Sequence, residues 1–181
     1  SLYWHARALG KLSAFIRGPD WTLQRADKSV TKDIAYMRKA VALSRQGKLD
    51  QALAEMDKAQ ALRPKDPFLM DLRAELLMRA RQFKASAQTY AKAAALAPNA
   101  PLILAGQGRA LLASGDVRAA QTVLETARSR DFRNIRLHQD LAVAYGKLGN
   151  NGMASVVTAE RYALQGKLND AKLHANRAEA L

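Results

Sequence analysis

Small and apolar residues return along this chain at a fixed interval, most clearly in the stretch Asp33 to Asp66, DIAYMRKAVALSRQGKLDQALAEMDKAQALRPKD. The step from Ala40 to Ala74 is one period. Ala40, Ala74, Gly108 and Ala142 fall in register, and so do Gly47, Gly115 and Gly149, with Arg81 standing in the second copy. Ala52, Ser86 and Ala120 form a further column, as do Met56, Tyr90 and Leu124, then Ala59, Ala93 and Ala127, and finally Pro64 and Pro98 with Phe132 in third place. The pattern predicts helices over 33–46, 49–62, 67–80, 84–96, 101–114, 117–129 and 135–148. Two helices of about a dozen residues cross closely when each offers a small side chain, which the Ala40 and Ala52 columns supply. Gly47 and Gly115 end first helices because glycine takes the left-handed cap conformation without steric penalty. Pro64 and Pro98 close second helices, since proline cannot extend a helix and biases its predecessor away from helical angles. Each unit is a helical hairpin. One hairpin cannot bury its apolar face alone, so neighbours stack into one continuous core.

After Gly149 the spacing halves. The glycine, leucine, acid or amide, alanine signature that follows a first helix recurs at Gly166, Leu168, Asp170 and Ala171, only half a period on. The helix Met153 to Leu164 therefore closes the fourth hairpin and opens the next, with Ala159 in its small column and Ala171, Ala175 and Ala178 as the small face of a final helix. At the other end, Ser1 to Arg17 reads as an amphipathic helix with Leu2, Ala6, Leu9, Leu12 and Ile16 near helical spacing, ended at Gly18-Pro19. The stretch to Thr31 shows no clear period and is expected to be a connector, with Trp21 and Leu23 tacked onto the first helices. Trp4 and Trp21 are expected to pack rather than to anchor a ligand. The expected organisation is a helix and connector over 1–32, leading in from a missing domain, and an array of about four hairpins plus a half-repeat helix over 33–181.

A 34-residue period, a small residue in each of two helices, a turn between them and a closing proline together resemble the tetratricopeptide repeat (TPR). The resemblance implies an all-α fold, a TPR-type α-solenoid of antiparallel helical hairpins whose first helices line the concave face. The second, fifth, ninth and twelfth places of each first helix are then Ile34, Met37, Val41 and Ser44; Phe68, Asp71, Glu75 and Met78; Leu102, Ala105, Arg109 and Leu112; Arg136, Gln139, Val143 and Gly146. Among them Phe68, Asp71, Glu75, Met78, Arg109, Leu112 and Gln139 are the candidate partner-binding residues. Charged and amide groups there can orient a peptide by hydrogen bonds while Phe68, Met78 and Leu112 give apolar contact. TPR modules that clamp the acidic tails of cytosolic chaperones use basic and amide residues in these places, and Met37, Val41, Asp71 and Glu75 do not supply them. The apolar first rung, Ile34, Met37 and Val41, calls for a cover, either the Ser1 helix or a missing domain.

With 181 residues, 49% of them apolar, the chain can bury a substantial core. Zero cysteines exclude disulfides and thiolate metal sites and leave the compartment open. The apolar runs are too short for a membrane span. The net charge of +13 is uneven. No acidic residue lies between Leu76 and Gly115, where Arg79, Arg81, Lys84, Lys92 and Arg109 fall, and Arg128, Arg130, Arg133 and Arg136 form a second group. One reading is a solvated surface, the other attraction to an anionic partner. Sparse aromatics argue against stacking of single-stranded nucleic acid. No H-E-x-x-H is present, and His5, His138 and His174 lie far apart, His138 in a core-facing column. Gly106-Gln107-Gly108 falls inside a helix after no strand and is no dinucleotide fingerprint. No serine, histidine and carboxylate share a site. The expectation is a binding module with no catalytic residues, cofactor or metal.

Three runs carry a closer resemblance: RALGKLSAFIRGPDWTL before the array, LAPNAPL at Leu96 to Leu102, and LAVAYGKLGNNGMASVVTAERYALQGKLNDAK at the end. They look like the C-terminal region of bacterial BepA-like zinc metallopeptidases, over nearly the whole chain. The resemblance implies a periplasmic quality-control protein whose N-terminal peptidase domain, bearing H-E-x-x-H, lies outside this sequence. It also implies that the TPR tail packs on that domain and contacts outer-membrane assembly factors. The alternatives are a stand-alone TPR adaptor or co-chaperone and a basic helical-repeat RNA binder.

Overall fold

In the computed structural model, which describes residues 2–181, every regular element is an α-helix. The order is α1 (Leu2–Ile16), α2 (Pro19–Ala26), α3 (Lys32–Arg45), α4 (Leu49–Leu62), α5 (Pro67–Arg79), α6 (Phe83–Leu96), α7 (Pro101–Ser114), α8 (Val117–Arg130), α9 (Ile135–Lys147), α10 (Asn151–Leu164) and α11 (Leu168–Glu179). The expected repeat helices are met to within two residues at each end. The chain divides into two compact units, the first ending at Leu96 and the second running Ala97–Leu181.

In the first unit α3 pairs with α4 and α5 with α6. The small columns lie where the helices cross: Ala40, Ala52, Ala59, Ala74 and Ala93 are all fully buried. Ser86, the polar member of its column, donates from its hydroxyl to the Ala74 carbonyl at 2.8 Å, which satisfies it inside the core. The turn after α4 follows from its residues. Arg63, ahead of Pro64, leaves the helical region (φ −141°, ψ 70°), Pro67 opens α5, and the Asp66 carboxylate accepts from the Phe68 and Leu69 amides at 2.9 and 3.3 Å.

Two expectations at the start of the chain are corrected. The stretch expected as a connector contains α2, opened by Pro19, with Asp20 in its first turn and the Thr22 hydroxyl bonded to the Gly18 carbonyl at 3.0 Å. Its buried residues are Thr22 and Ala26, small side chains that leave no apolar period in so short a helix. Trp21 points outward between Arg17 and Arg25. Helix α1 forms as expected, but it buries Arg7, Gly10 and Ala14, with Tyr3, Ala6 and Phe15 partly covered. Leu2, Leu9, Leu12 and Ile16 face away, 53–88% exposed.

In the second unit α7 pairs with α8, α9 with α10, and α10 also with α11, as the half-repeat spacing requires. Asp116, Asn134 and Asn150 each cap the next helix through a side-chain oxygen. The last helix buries no residue fully. Ala171 and Ala178 are half-buried as expected of a small face, whereas Ala175 is exposed. His174 instead stacks on Tyr162 with ring centroids 5.4 Å apart.

Candidate partner-binding surfaces

The groove-facing places of the first unit are occupied by its own α1. Ile34, Met37 and Val41, each 2% exposed or less, form one cluster with Ala14, flanked by Tyr3, Ala6 and Phe15. A Cβ at Gly10 would lie 3.0 Å from Cγ2 of Ile34, so glycine sets how closely α1 sits on α3. Polar contacts hold the helix at one end. The Tyr3 hydroxyl donates to Asp33 at 2.5 Å, and Nε of Arg63 donates to the same carboxylate at 2.9 Å. Burial raises the Tyr3 phenol. Burial would also raise the Asp33 carboxyl, but the bonds from Tyr3 and Arg63 and the guanidinium charge hold it below the usual carboxylate range. Arg7 pairs with Asp66, the α5 cap, both side chains 8% exposed.

Two candidate residues are therefore engaged within the unit. Lys11 of α1 lies 3.7 Å from Asp71 and 3.4 Å from Glu75, and Arg79 reaches Glu75 at 3.6 Å. Burial raises the Asp71 carboxyl against the pull of Lys11. Met78 is half-buried, and Phe68 is exposed, edge-on to the Trp4 ring.

The second unit keeps the corresponding places open. Leu102 and Val143 are 71% and 45% exposed, and Arg136 and Gln139 are exposed beside them. Leu112 is half-buried, while Ala105 belongs to the core at 3% exposure. Arg109 is not a free cation: its Nε donates to Asp140 at 2.9 Å and ties α7 to α9. His138 is a packed residue, fully buried, with Nδ1 2.9 Å from the Asn134 carbonyl and its ring edge-on to Phe132. The Tyr145 hydroxyl donates to Glu125; burial first, then this bond, push its phenol up to about 12. Among the described residues no group of three histidine or acidic side chains could hold a metal ion, and no helix is long and apolar enough to cross a membrane.

A family model described as tetratricopeptide repeat matches residues 34–66, the hairpin where the repeat pattern is clearest. Solved structures extend the likeness over most of the chain. MamA from Desulfovibrio magneticus RS-1 is 17% identical with a TM-score of 0.72, over 88% of this chain and 93% of that one. The fold is that of tetratricopeptide-repeat proteins. YrrB, described as a TPR protein with an unusual peptide-binding site, is 17% identical with a TM-score of 0.69, over 95% and 90% of the two chains. MamA of MSR-1 is 13% identical with a TM-score of 0.65, over 96% and 97%. A search of curated protein sequences finds no match.

In TPR terms, the groove-facing helices of the first unit meet α1, while α7 and α9 of the second unit present theirs to solvent. Reasoning from sequence missed Trp4, Arg7, Asp66 and Asp140 as members of these surfaces. Asp66 was detectable as a cap ahead of Pro67. The others depend on contacts between distant parts of the chain, Trp4 with Phe68, Arg7 with Asp66 and Arg109 with Asp140, which no local pattern carries.

Proposed function

We propose that this chain is a TPR protein-interaction module that receives a segment of a partner protein on the first-helix face of its second unit. The observation that carries the proposal is the difference in cover at matched places. Ile34 and Val41 are sealed under α1, whereas their counterparts Leu102 and Val143 are 71% and 45% exposed, beside the exposed Arg136 and Gln139. Isolated apolar side chains among hydrogen-bonding groups suit an extended or helical peptide, which needs both anchorage and register. The peptide-binding site in the description of YrrB supports the same class of ligand. A photo-crosslinking residue at position 139 tests this, with one at Lys92 on α6 as control. Adducts at 139 and none at 92 are expected; the reverse pattern overturns the assignment.

We further read the module as the partner-binding half of a periplasmic BepA-like zinc metallopeptidase serving outer-membrane protein quality control, with outer-membrane assembly factors as partners. The three resembling sequence runs support this, and so does the outward stripe of α1. Leu2, Leu9, Leu12 and Ile16 lie on one helical face, which a further domain would cover. One observation favours a stand-alone adaptor instead: this chain covers 90–97% of the MamA and YrrB chains it resembles. Sequencing upstream in the same reading frame decides between them. An H-E-x-x-H motif supports the peptidase reading, and its absence from the full reading frame supports the adaptor.

A further inference from the structure

Trp4 of α1 and Phe68 of α5 stand edge to face, ring centroids 6.3 Å apart at 81°, and both are half exposed, 50% and 49%. Neither core packing nor the open face of α7 and α9 accounts for them. Beside this ring pair opens a cavity of about 250 Å³, lined by both rings and by Ala8, Met37 and Leu72, the last two buried. Lys11 and Asp71, 3.7 Å apart, also line it. A second, more open hollow of about 640 Å³ borders the same two rings along the turn from Leu62 to Phe68, with Arg63 and Lys65 among its lining residues. A buried apolar floor under an open aromatic mouth is the form of a receptor for one apolar side chain.

Charge selects the kind of chain that brings it. The side chains lining the two hollows include four cations, Arg7, Lys11, Arg63 and Lys65, against two carboxylates, Asp66 and Asp71. Arg7 and Asp66 neutralise each other, and Lys11 faces Asp71. Arg63 is held by Asp33, and Lys65 forms no ion pair among the described residues. Lys65 is therefore the unpaired cation on the turn side, the one that can receive a ligand carboxylate. A cationic occupant is disfavoured, because the Arg7 guanidinium already lies 5.2 Å from the centre of the Trp4 ring.

We propose that the socket beside Trp4 and Phe68 binds an aromatic or branched apolar side chain of an acidic segment of a partner protein, seated on Met37 and Leu72, with a flanking carboxylate at Lys65. This site lies in the first unit and is separate from the face of α7 and α9, so the two assignments stand or fall independently. The exposed parts of both rings give an incoming apolar group its contact area, and Lys65 on the α4–α5 turn supplies the charge that sets its orientation.

Fluorescence anisotropy with three labelled heptapeptides, DEDFEDE, DEDSEDE and KRKFKRK, tests the proposal on the full chain. DEDFEDE is expected to bind saturably and at least about tenfold more tightly than either control, the scale expected of one buried anchor. In a Trp21→Phe background, DEDFEDE should shift the Trp4 emission to the blue. Ala8→Leu, which fills the socket from the exposed side of α1, and Phe68→Ala, which removes a wall, should each weaken binding about tenfold. Circular dichroism melts check that Ala8→Leu remains folded. Equal binding of DEDSEDE or KRKFKRK, no measurable binding of DEDFEDE, or full binding by folded Ala8→Leu each overturn the proposal. So does loss of binding in Arg109→Ala with Gln139→Ala but not in Ala8→Leu, which would place the peptide on the other face.

Discussion

Gly47 and Arg81, one repeat apart, take the same left-handed backbone conformation at the end of their helices, with φ of +78° and +61°. Gly115, Gly149 and Gly166 do likewise, so arginine fills a place the other hairpins give to glycine. The cap geometry belongs to the repeat rather than to the residue. An L side chain pays for this conformation through the contact of its Cβ with the following carbonyl. Arg81→Gly should therefore stabilise the fold by up to about 1 kcal/mol, seen as a higher urea midpoint and offset in part by the greater freedom of glycine in the unfolded chain. Gly115→Ala should lower it. A lower midpoint for Arg81→Gly would mean that the arginine side chain stabilises the turn.

The carboxylate that anchors α1 makes stability depend on acid. Asp33 has a folded pKa below its unfolded value, so its contribution is present above the unfolded pKa and is lost as pH falls through the folded one. The melting temperature should fall as pH drops from about 5 to about 2, and Asp33→Asn should flatten that part of the curve. Asp71 carries the opposite sign. Its raised carboxyl pKa means that ionisation opposes folding at neutral pH, so Asp71→Asn should leave the melting temperature at pH 7 unchanged or higher, with Glu75 still facing Lys11. A large loss of stability in Asp71→Asn would show instead that the Lys11 contact outweighs burial.

The hairpins were legible because their rules are local and repeat. A left-handed cap favours glycine and a close crossing favours a small residue, and these places return at the repeat interval, with Arg81 the one departure among the caps. The start of the chain follows neither rule. In α1 the leucines suggest a core face, yet the helix buries Arg7, Gly10 and Ala14, because Ile34 and Met37 already fill the space and only a small residue fits against them. Helix α2 is held by Thr22 and Ala26, which carry no apolar signal. The candidate groove divides in the same way. Its positions could be numbered from the repeat, but whether Asp71 meets a ligand or Lys11 depends on where α1 lies, and no periodicity encodes that.

Gly108 sits at a close crossing of α7 with α8 in the second unit. A Cβ there would lie 2.4 Å from Cγ and 2.6 Å from Cδ2 of the fully buried Leu124. Gly108→Ala gains up to about 1 kcal/mol in helix propensity but overpacks the core at about 1–3 kcal/mol, so a net loss is expected. The sign should reverse in a Leu124→Ala background, where the added methyl meets open space. Chemical denaturation of the two single variants and the double variant measures the coupling. Additive effects would mean that the two positions do not touch.

Seating of α1 is testable at Gly10, whose missing side chain lets the helix lie against Ile34, Arg38 and Met37. The contact at 3.0 Å involves a β-branched side chain buried in the core, which cannot turn aside as a surface lysine would. Gly10→Leu should therefore lift α1 from α3 while the hairpins of α3 to α6 remain folded, since their crossings rest on Ala40, Ala52, Ala74 and Ala93. Three readouts should move together. Trypsin should cut early at Arg7 and Lys11, a fluorescent apolar dye should bind the uncovered Ile34, Met37 and Val41, and the acid dependence assigned to Asp33 should fade as Tyr3 withdraws. Gly10→Ala, with only one carbon added, should show the same changes more weakly. If Gly10→Leu leaves Arg7 and Lys11 as resistant to trypsin as in the parent chain, α1 does not owe its place to this contact, and the groove of the first unit is covered by some other means.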